Sequence, residues 1–186
     1  MLSFPMFTIW SLWLVLVPIF LFAWAGMAIG DRLRGVKIEN KEDHCNVKTG
    51  LFSMPPLLAL TVLSIFTPIV SSPLFWVGVA FIFVAGILYV LSITAFIKAK
   101  LGLNTVGIYR LSRNPMYVAM FLVMVAFAFM AWSPAAIMGI LAAVVALWNV
   151  AATHWMVLRE EGFLERKYGQ RYAVYRGQVP RYFFFV

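Results

Sequence analysis

Two adjacent acids, Glu160 and Glu161, follow the last long apolar run of the chain. On a helix, a carboxylate is stabilised by a cation three or four residues away. For the two acids together, those positions hold Met156, Val157, Leu158, Phe163, Leu164 and Glu165. The acids also follow the C-terminal end of the apolar run, where the helix dipole disfavours anions. The pair therefore predicts a cation from elsewhere; the alternative is a solvated interfacial turn beside Arg159.

A second candidate lies at Arg113-Asn114-Pro115-Met116-Tyr117. Asn at the N-cap followed by Pro at the first helical position is typical of a helix start. The exposed N–H groups of such a start bind anions. Arg113 adds positive charge and Tyr117 adds a hydroxyl one turn later. The segment therefore predicts an anion site, with plain helix capping as the alternative.

The third candidate is His154, which lies near the end of the same apolar run as Asn149 and Thr153. Polar groups within a membrane usually face the helix bundle or a cavity. His154 and Glu161 are seven residues apart and would share a helix face. A general-base role for His154 and hydrogen bonding between helices both remain open.

The composition is that of an integral membrane protein, with 63% hydrophobic and 12% charged residues. A soluble domain carries about 45–50% apolar and about 25% charged residues. The net charge is +8, and every Asp, Glu, Lys and Arg falls within 31–48, 98–113 or 159–181. Because each basic block lies beside an apolar run, anionic lipid headgroups explain the charge better than nucleic acid does. The single cysteine, Cys45, excludes an internal disulfide and, with His44, falls short of a metal site.

The apolar runs predict an all-α bundle of five transmembrane helices, at about 4–30, 53–70, 73–97, 114–132 and 134–158. Pro55-Pro56 would lie in the first turn of the second helix. Five spans place all three charged blocks on one face, which positive-inside bias makes cytoplasmic, with the N-terminus outside. We expect one domain over 1–186, a motif-bearing core at about 98–186, and a short cytoplasmic C-terminal helix or tail. No basic residue precedes the first run, which argues against a cleaved signal peptide.

Familiar soluble-enzyme motifs are absent from the sequence: there is no Walker A, His-Glu-x-x-His, Gly-x-Ser-x-Gly or Rossmann fingerprint. An anion site and an acid pair would instead meet on one membrane face, on adjacent antiparallel helices. A small zwitterion with an additional cationic centre would suit both. S-adenosylmethionine has these groups, although the residues alone do not single it out.

Residues 107–117 resemble the Gly-x-Tyr-x-x-x-Arg-His/Asn-Pro-x-Tyr signature of the isoprenylcysteine carboxyl methyltransferase and phospholipid methyltransferase superfamily. A second signature of that superfamily runs from a Glu-Glu pair to Val-Pro-Arg. Its matching residues are Glu160, Glu161, Leu164, Tyr168, Gly169, Tyr172, Tyr175, Val179, Pro180 and Arg181. The two matches occur in the expected order and are separated by one predicted helical hairpin.

The resemblance implies an integral-membrane methyltransferase that binds S-adenosylmethionine on its cytoplasmic side and releases S-adenosylhomocysteine. The acceptor would be lipophilic and would enter from the bilayer. Including Arg113 from the predicted anion site, the cofactor-binding residues would be Leu103, Asn104, Gly107, Tyr109, Arg113, Asn114, Pro115, Met116, Tyr117 and Glu160.

Two positions depart from the prenylcysteine enzymes, which have His where this chain has Leu101 and Arg where it has Met156. A thioether cannot hold a carboxylate, which argues against methyl esterification. A phospholipid amine or a thiol fits better as acceptor, with Asn149 and Met156 on the substrate side. An amine or thiol must lose a proton, and His154 or Glu161 is the candidate catalytic base.

Two other functions remain possible from the sequence. One is a related sterol-reductase-like oxidoreductase that uses NADPH, and the other is a non-catalytic lipid-binding protein of the same fold. The expected partners are membrane lipid and a lipophilic acceptor. The sequence indicates neither nucleic acid, nor an obligate protein partner, nor a metal.

Overall fold

The computed structural model describes residues 9–35, 47–100 and 102–183, and this part of the chain is all-α, as predicted. Its helices, which we number in chain order, are α1 (Trp13–Arg34), α2 (Val47–Phe66), α3 (Pro73–Lys98), α4 (Pro115–Trp132), α5 (Ala136–Tyr168) and α6 (Gln170–Gln178), with a 3-10 helix at Gly107–Arg110. His44, Cys45 and Leu101 lie outside the described residues, so their predicted roles stay predictions.

Four helices, α1, α3, α4 and α5, are long and apolar enough to cross a membrane. Large apolar side chains such as Phe83 and Leu147 point outward, with exposed fractions of 70% and 71%. Such a surface suits lipid and not water. The described apolar part of α2, Met54–Phe66, is shorter than the other four. A membrane protein is therefore shown, while the fifth span and the orientation remain predictions.

The polar connections gather at two opposite ends of the bundle. At one end the backbone N–H of Leu12 donates to Thr67 at 2.9 Å, and Ser72 shares a hydrogen bond with Ser133. These contacts join the segment before α1 to the α2–α3 and α4–α5 turns. At the other end the Arg34 side chain donates to the carbonyls of Lys100 and Gly102. Described residues of the first two charged blocks thus meet at this second end, which we call the charged end.

Close helix packing holds α3 against α4. A Cβ added at Gly78 would lie 2.6 Å from Cγ of Met130 and 2.7 Å from the carbonyl oxygen of Ala126, so only glycine fits there without movement. Phe127 and Met130 of α4 are fully buried, in a core shared with α1, α2 and α5. This contact holds the C-terminal half of α4 against α3, and the first turn of the same helix carries part of the candidate site.

Three helix boundaries differ from the predicted ones. Pro55 and Pro56 lie inside α2 and not in its first turn, because the helix begins at Val47. The first helix begins at Trp13, after residues that pair with the α2–α3 turn. The fifth helix does not end near Leu158 but continues to Tyr168. Glu160 and Glu161 are therefore inside a helix, and the expectation that they follow its C-terminal end was wrong.

Candidate functional site at the charged end

The two adjacent acids of α5 have different partners. Glu161 is only 6% exposed and forms a bidentate pair with Arg181, with Nε to Oε1 at 3.0 Å and Nη2 to Oε2 at 2.8 Å. Nη2 of Arg113 lies 3.4 Å from the same Oε1. The outside cation that the sequence predicted for this acid is thus a pair of arginines of the chain itself. This position favours a structural role for Glu161 over the predicted role of base, because a buried pair of this kind is costly to break.

Glu160 has no ion-pair partner among the described residues. The Tyr117 hydroxyl donates to its Oε2 at 3.0 Å, which joins the end of α5 to the start of α4. The Glu160 side chain is exposed to solvent and lies close to Tyr109 as well as to Tyr117. We call the solvent-facing area around these side chains the depression. A carboxylate in such a place can receive a cationic or hydroxyl-bearing ligand.

Residues 179–182, which we call the C-terminal strap, close one side of the site. The backbone N–H of Arg113 donates to the carbonyl of Pro180 at 2.9 Å. The carbonyl of Arg181 accepts from Ser112 Oγ at 3.1 Å and from Asn114 Nδ2 at 3.3 Å. Asn114 is at the predicted N-cap of α4, but its side chain makes no capping bond and holds the strap.

The 3-10 helix forms another wall of the site. It begins at Gly107, whose φ of +60° favours glycine and where an added Cβ would lie 3.2 Å from Cβ of Ala95. The carbonyl of Tyr109 accepts a hydrogen bond of 2.7 Å from the hydroxyl of Tyr175. Burial, reinforced by the charge of nearby Glu160, raises the pKa of Tyr109, so its phenol stays neutral beside that carboxylate. The side chain of Asn104 lies near the same hydroxyl, and its amide makes no hydrogen bond with any described residue.

A cluster of aromatic residues from α6 supports this wall. Tyr172 is 1% exposed and packs with Tyr175 and Val179, and Leu103 packs against them. Burial, with a smaller contribution from Glu161, raises the pKa of Tyr172 to about 12. The second sequence signature therefore supplies structure here: its tyrosines hold the 3-10 helix in place.

His154 contacts the strap through Tyr182. Its Nδ1 and the Tyr182 hydroxyl share a hydrogen bond of 3.1 Å, and the ring of Tyr182 packs edge-on against Phe121 with centroids 5.6 Å apart. Thr153 directly precedes His154 and Asn149 lies five residues before it; both are buried, and no described residue offers their side chains a hydrogen-bond partner. Met156 is half-buried, one turn before Glu160.

The structure therefore brings part of the predicted site together. Four of the predicted residues lie around the depression: Asn104, Tyr109, Tyr117 and Glu160. Arg113 is 8% exposed and pairs with the neighbouring acid Glu161, and no described residue accepts a hydrogen bond from its Nε or Nη1. The buried Pro115 and half-buried Met116 form the first turn of α4 and position Tyr117. Leu103 packs against the aromatic cluster of α6, Gly107 begins the 3-10 helix, and Asn114 binds the strap.

Sequence reasoning missed two features of the site. Arg181 belonged to the second signature, but nothing local linked it to Glu161, which is 20 residues away. Tyr182 follows it directly and was not singled out. Its position after Val-Pro-Arg, in a basic and aromatic tail, was the only available signal.

A family model for phospholipid methyltransferases matches residues 74–171, which is more than half of the chain. The chain belongs to this family, and the predicted resemblance is confirmed. The match includes the first signature, Glu160 and Glu161, and ends before the C-terminal strap. No curated protein and no solved structure matches the chain significantly.

Proposed function

We propose that this protein transfers a methyl group from S-adenosylmethionine to the amine of a membrane phospholipid. Membership of the phospholipid methyltransferase family supports methyl transfer at a membrane. The observation that carries the donor assignment is Glu160, an accessible carboxylate that is held by Tyr117 and has no ion-pair partner in the described part of the chain. S-adenosylmethionine supplies the cationic and hydroxyl groups that this carboxylate lacks.

The residues around the depression fit such a donor. They offer the carboxylate of Glu160, the neutral phenols of Tyr117 and Tyr109, and the amide of Asn104. Arg113 has two buried guanidinium nitrogens to which no described residue offers an acceptor, and these suit the carboxylate of the methionine portion. The wall of the site is completed by Leu103, Gly107, Asn114, Pro115 and Met116. When bound, the donor supplies an electrophilic methyl carbon on a sulfonium, and the chain contributes mainly position and the exclusion of water.

His154 is the residue we assign to the acceptor side. An acceptor ammonium must lose a proton before its nitrogen can attack, and an imidazole is suited to take that proton near neutral pH. Glu161 is already paired with two arginines, which leaves His154 as the base. Met156 is neutral and offers no partner for a substrate carboxylate. An amine therefore fits the acceptor side of the site better than a prenylcysteine acid does. Asn149 lies deeper on the same helix, with an amide free to meet a polar acceptor group.

We further propose that the charged end faces the cytoplasm, where S-adenosylmethionine is available. Described residues of all three basic blocks lie at this end, as positive-inside orientation requires. The acceptor reaches the site from the surrounding lipid, because the outer surfaces of the spanning helices are apolar.

Isotope transfer tests the proposal directly. Membranes containing the protein are incubated with methyl-labelled S-adenosylmethionine, and the lipids are separated and identified by mass. We expect label on the amine headgroup of a phospholipid, and about a hundredfold less label, still measurable, in membranes that carry the His154→Ala variant. Labelled NADPH binding without methyl transfer would contradict the proposal and favour a reductase. Label on a thiol or an acid would contradict only the acceptor class.

A further inference from the structure

Tyr182 reaches His154 from the C-terminal strap and contacts it in two ways. Its hydroxyl lies 3.1 Å from Nδ1, and the two rings are tilted at 48° with centroids 6.0 Å apart. Phe121 of α4 packs on the other side of the tyrosine ring. The ring position is thus set by packing, and the hydroxyl is directed at one nitrogen of the imidazole.

The strap that carries Tyr182 is firmly attached to the rest of the site. Its preceding residue, Arg181, is held by the bidentate pair with buried Glu161 and by two side chains on its carbonyl. Arg113 binds the strap backbone as well. Five hydrogen bonds therefore fix the two residues before Tyr182. A hydroxyl carried on such a support can orient a neighbouring side chain.

The hydrogen bond at Nδ1 determines what the other nitrogen can do. A neutral imidazole has one N–H and one lone pair, and the partner of one nitrogen selects the tautomer. Burial raises the pKa of Tyr182, so its phenol is neutral at physiological pH and can accept a hydrogen bond from an N–H. If Nδ1 carries the proton, Nε2 keeps its lone pair and can act as a base.

We propose that Tyr182 is a positioning residue that accepts a hydrogen bond from Nδ1–H of His154 and thereby leaves Nε2 free to take the proton of the acceptor. This inference rests on the proposed function. Nε2 takes one proton from the acceptor ammonium, and the freed nitrogen lone pair forms the bond to the methyl carbon. The carbon–sulfur bond of the donor breaks, and its electron pair stays on sulfur.

Nitrogen NMR tests the tautomer without the donor. The protein is labelled with ¹⁵N-histidine in a His44→Gln background, so that His154 gives the only histidine signals, and is studied in detergent at mildly alkaline pH. We expect the wild-type ring to be protonated at Nδ1. Tyr182→Phe keeps the ring against Phe121 and removes only the hydroxyl, and it should give a mixture of tautomers. Tyr175→Phe, which removes a hydroxyl bonded to Tyr109 and not to His154, should leave the tautomer unchanged.

Kinetics in the same variants show whether the tautomer matters for transfer. A positioned base contributes roughly 10²–10⁴-fold, so we expect Tyr182→Phe to lower kcat about tenfold and to leave KM for S-adenosylmethionine within about twofold. In a His154→Ala background, Tyr182→Phe should have no further effect on kcat, because Tyr182 acts through His154.

Three outcomes would overturn the inference: a wild-type ring protonated at Nε2, a tautomer indifferent to Tyr182→Phe, or equal losses of kcat in the two backgrounds. A failure of the proposed function looks different. In that case the wild-type protein neither binds S-adenosylmethionine nor transfers its methyl group, whatever the tautomer of His154.

Discussion

At the scale of single residues, two neighbouring carboxylates have separate functions. Successive positions on a helix point about 100° apart. Glu161 therefore points toward Arg113 and Arg181 in the protein, while Glu160 points toward Tyr117 and the depression. One acid holds the C-terminal strap, and the other is available to a ligand. Their adjacency in the sequence concealed this division.

Replacing Glu161 tests the structural half of this division. Glu161→Gln leaves the 8% exposed Arg113 without its counter-charge. Removing one partner of a buried pair costs about 3–5 kcal/mol, so we expect a loss near the lower limit, about 3 kcal/mol, because the amide retains some hydrogen bonds. Thermal unfolding in detergent measures this loss, and faster tryptic cleavage after Arg181 reports release of the strap.

The matched control is Glu165→Gln, on the same helix. Glu165 pairs with Arg176 at 3.2 Å, with both side chains 49% exposed, so its loss should cost at most about 1 kcal/mol. Equal destabilisation by the two substitutions would show that the buried pair has no special role in stability.

At the scale of elements, the starts of α3 and α4 were easier to predict than the end of α5 and the long-range partners of Glu161. Pro115 and Pro73 begin α4 and α3 as expected, because proline at a first helical position is a local signal. The end of α5 was misplaced because apolar residues stop near Leu158, while the helix continues as an amphipathic segment to Tyr168. The partners of Glu161 come from two other segments, and only the folded chain shows which ones.

Packing between α3 and α4 gives a prediction at this scale. Gly78→Ala would place a Cβ 2.6 Å from Met130 Cγ and 2.7 Å from the carbonyl oxygen of Ala126. Overpacking of this kind costs about 1–3 kcal/mol, so the melting temperature in detergent should fall. Methyl transfer should weaken with it, since α4 carries Tyr117.

Gly86 provides the matched control on α3, because no atom lies within 4 Å of an added Cβ. Gly86→Ala should be neutral or stabilise the helix by up to about 1 kcal/mol. If both alanines lowered the melting temperature equally, the close contact at Gly78 would not be what holds the two helices together.

At the scale of the whole molecule, charge and hydropathy predicted a membrane protein with one charged end, and the structure has both features. The number of spans was harder to predict, because the described apolar part of α2 is shorter than the other four helices. The site lies at the charged end, where side chains from α4, α5 and the strap meet. Its sidedness follows from the proposal that the donor is cytoplasmic.

The single cysteine makes this orientation testable. Cys45 belongs to the first charged block, so a membrane-impermeant maleimide should label it in inside-out vesicles and not in intact cells. A Cys45→Ser variant with a cysteine introduced at Ser71, in the turn at the opposite end, should show the reverse pattern. Labelling of Cys45 in intact cells would place the charged end outside and contradict the orientation.

The central claim is that Glu160 binds the methyl donor, and calorimetry of S-adenosylmethionine binding in detergent tests it most directly. A hydrogen bond to a charged group contributes about 1.5–3 kcal/mol, so Glu160→Gln should weaken the Kd by roughly tenfold or more while the melting temperature of the ligand-free protein stays close to wild type. Glu165→Gln should leave the Kd unchanged. A Glu160→Gln protein that binds the donor within about twofold of wild type would contradict the account.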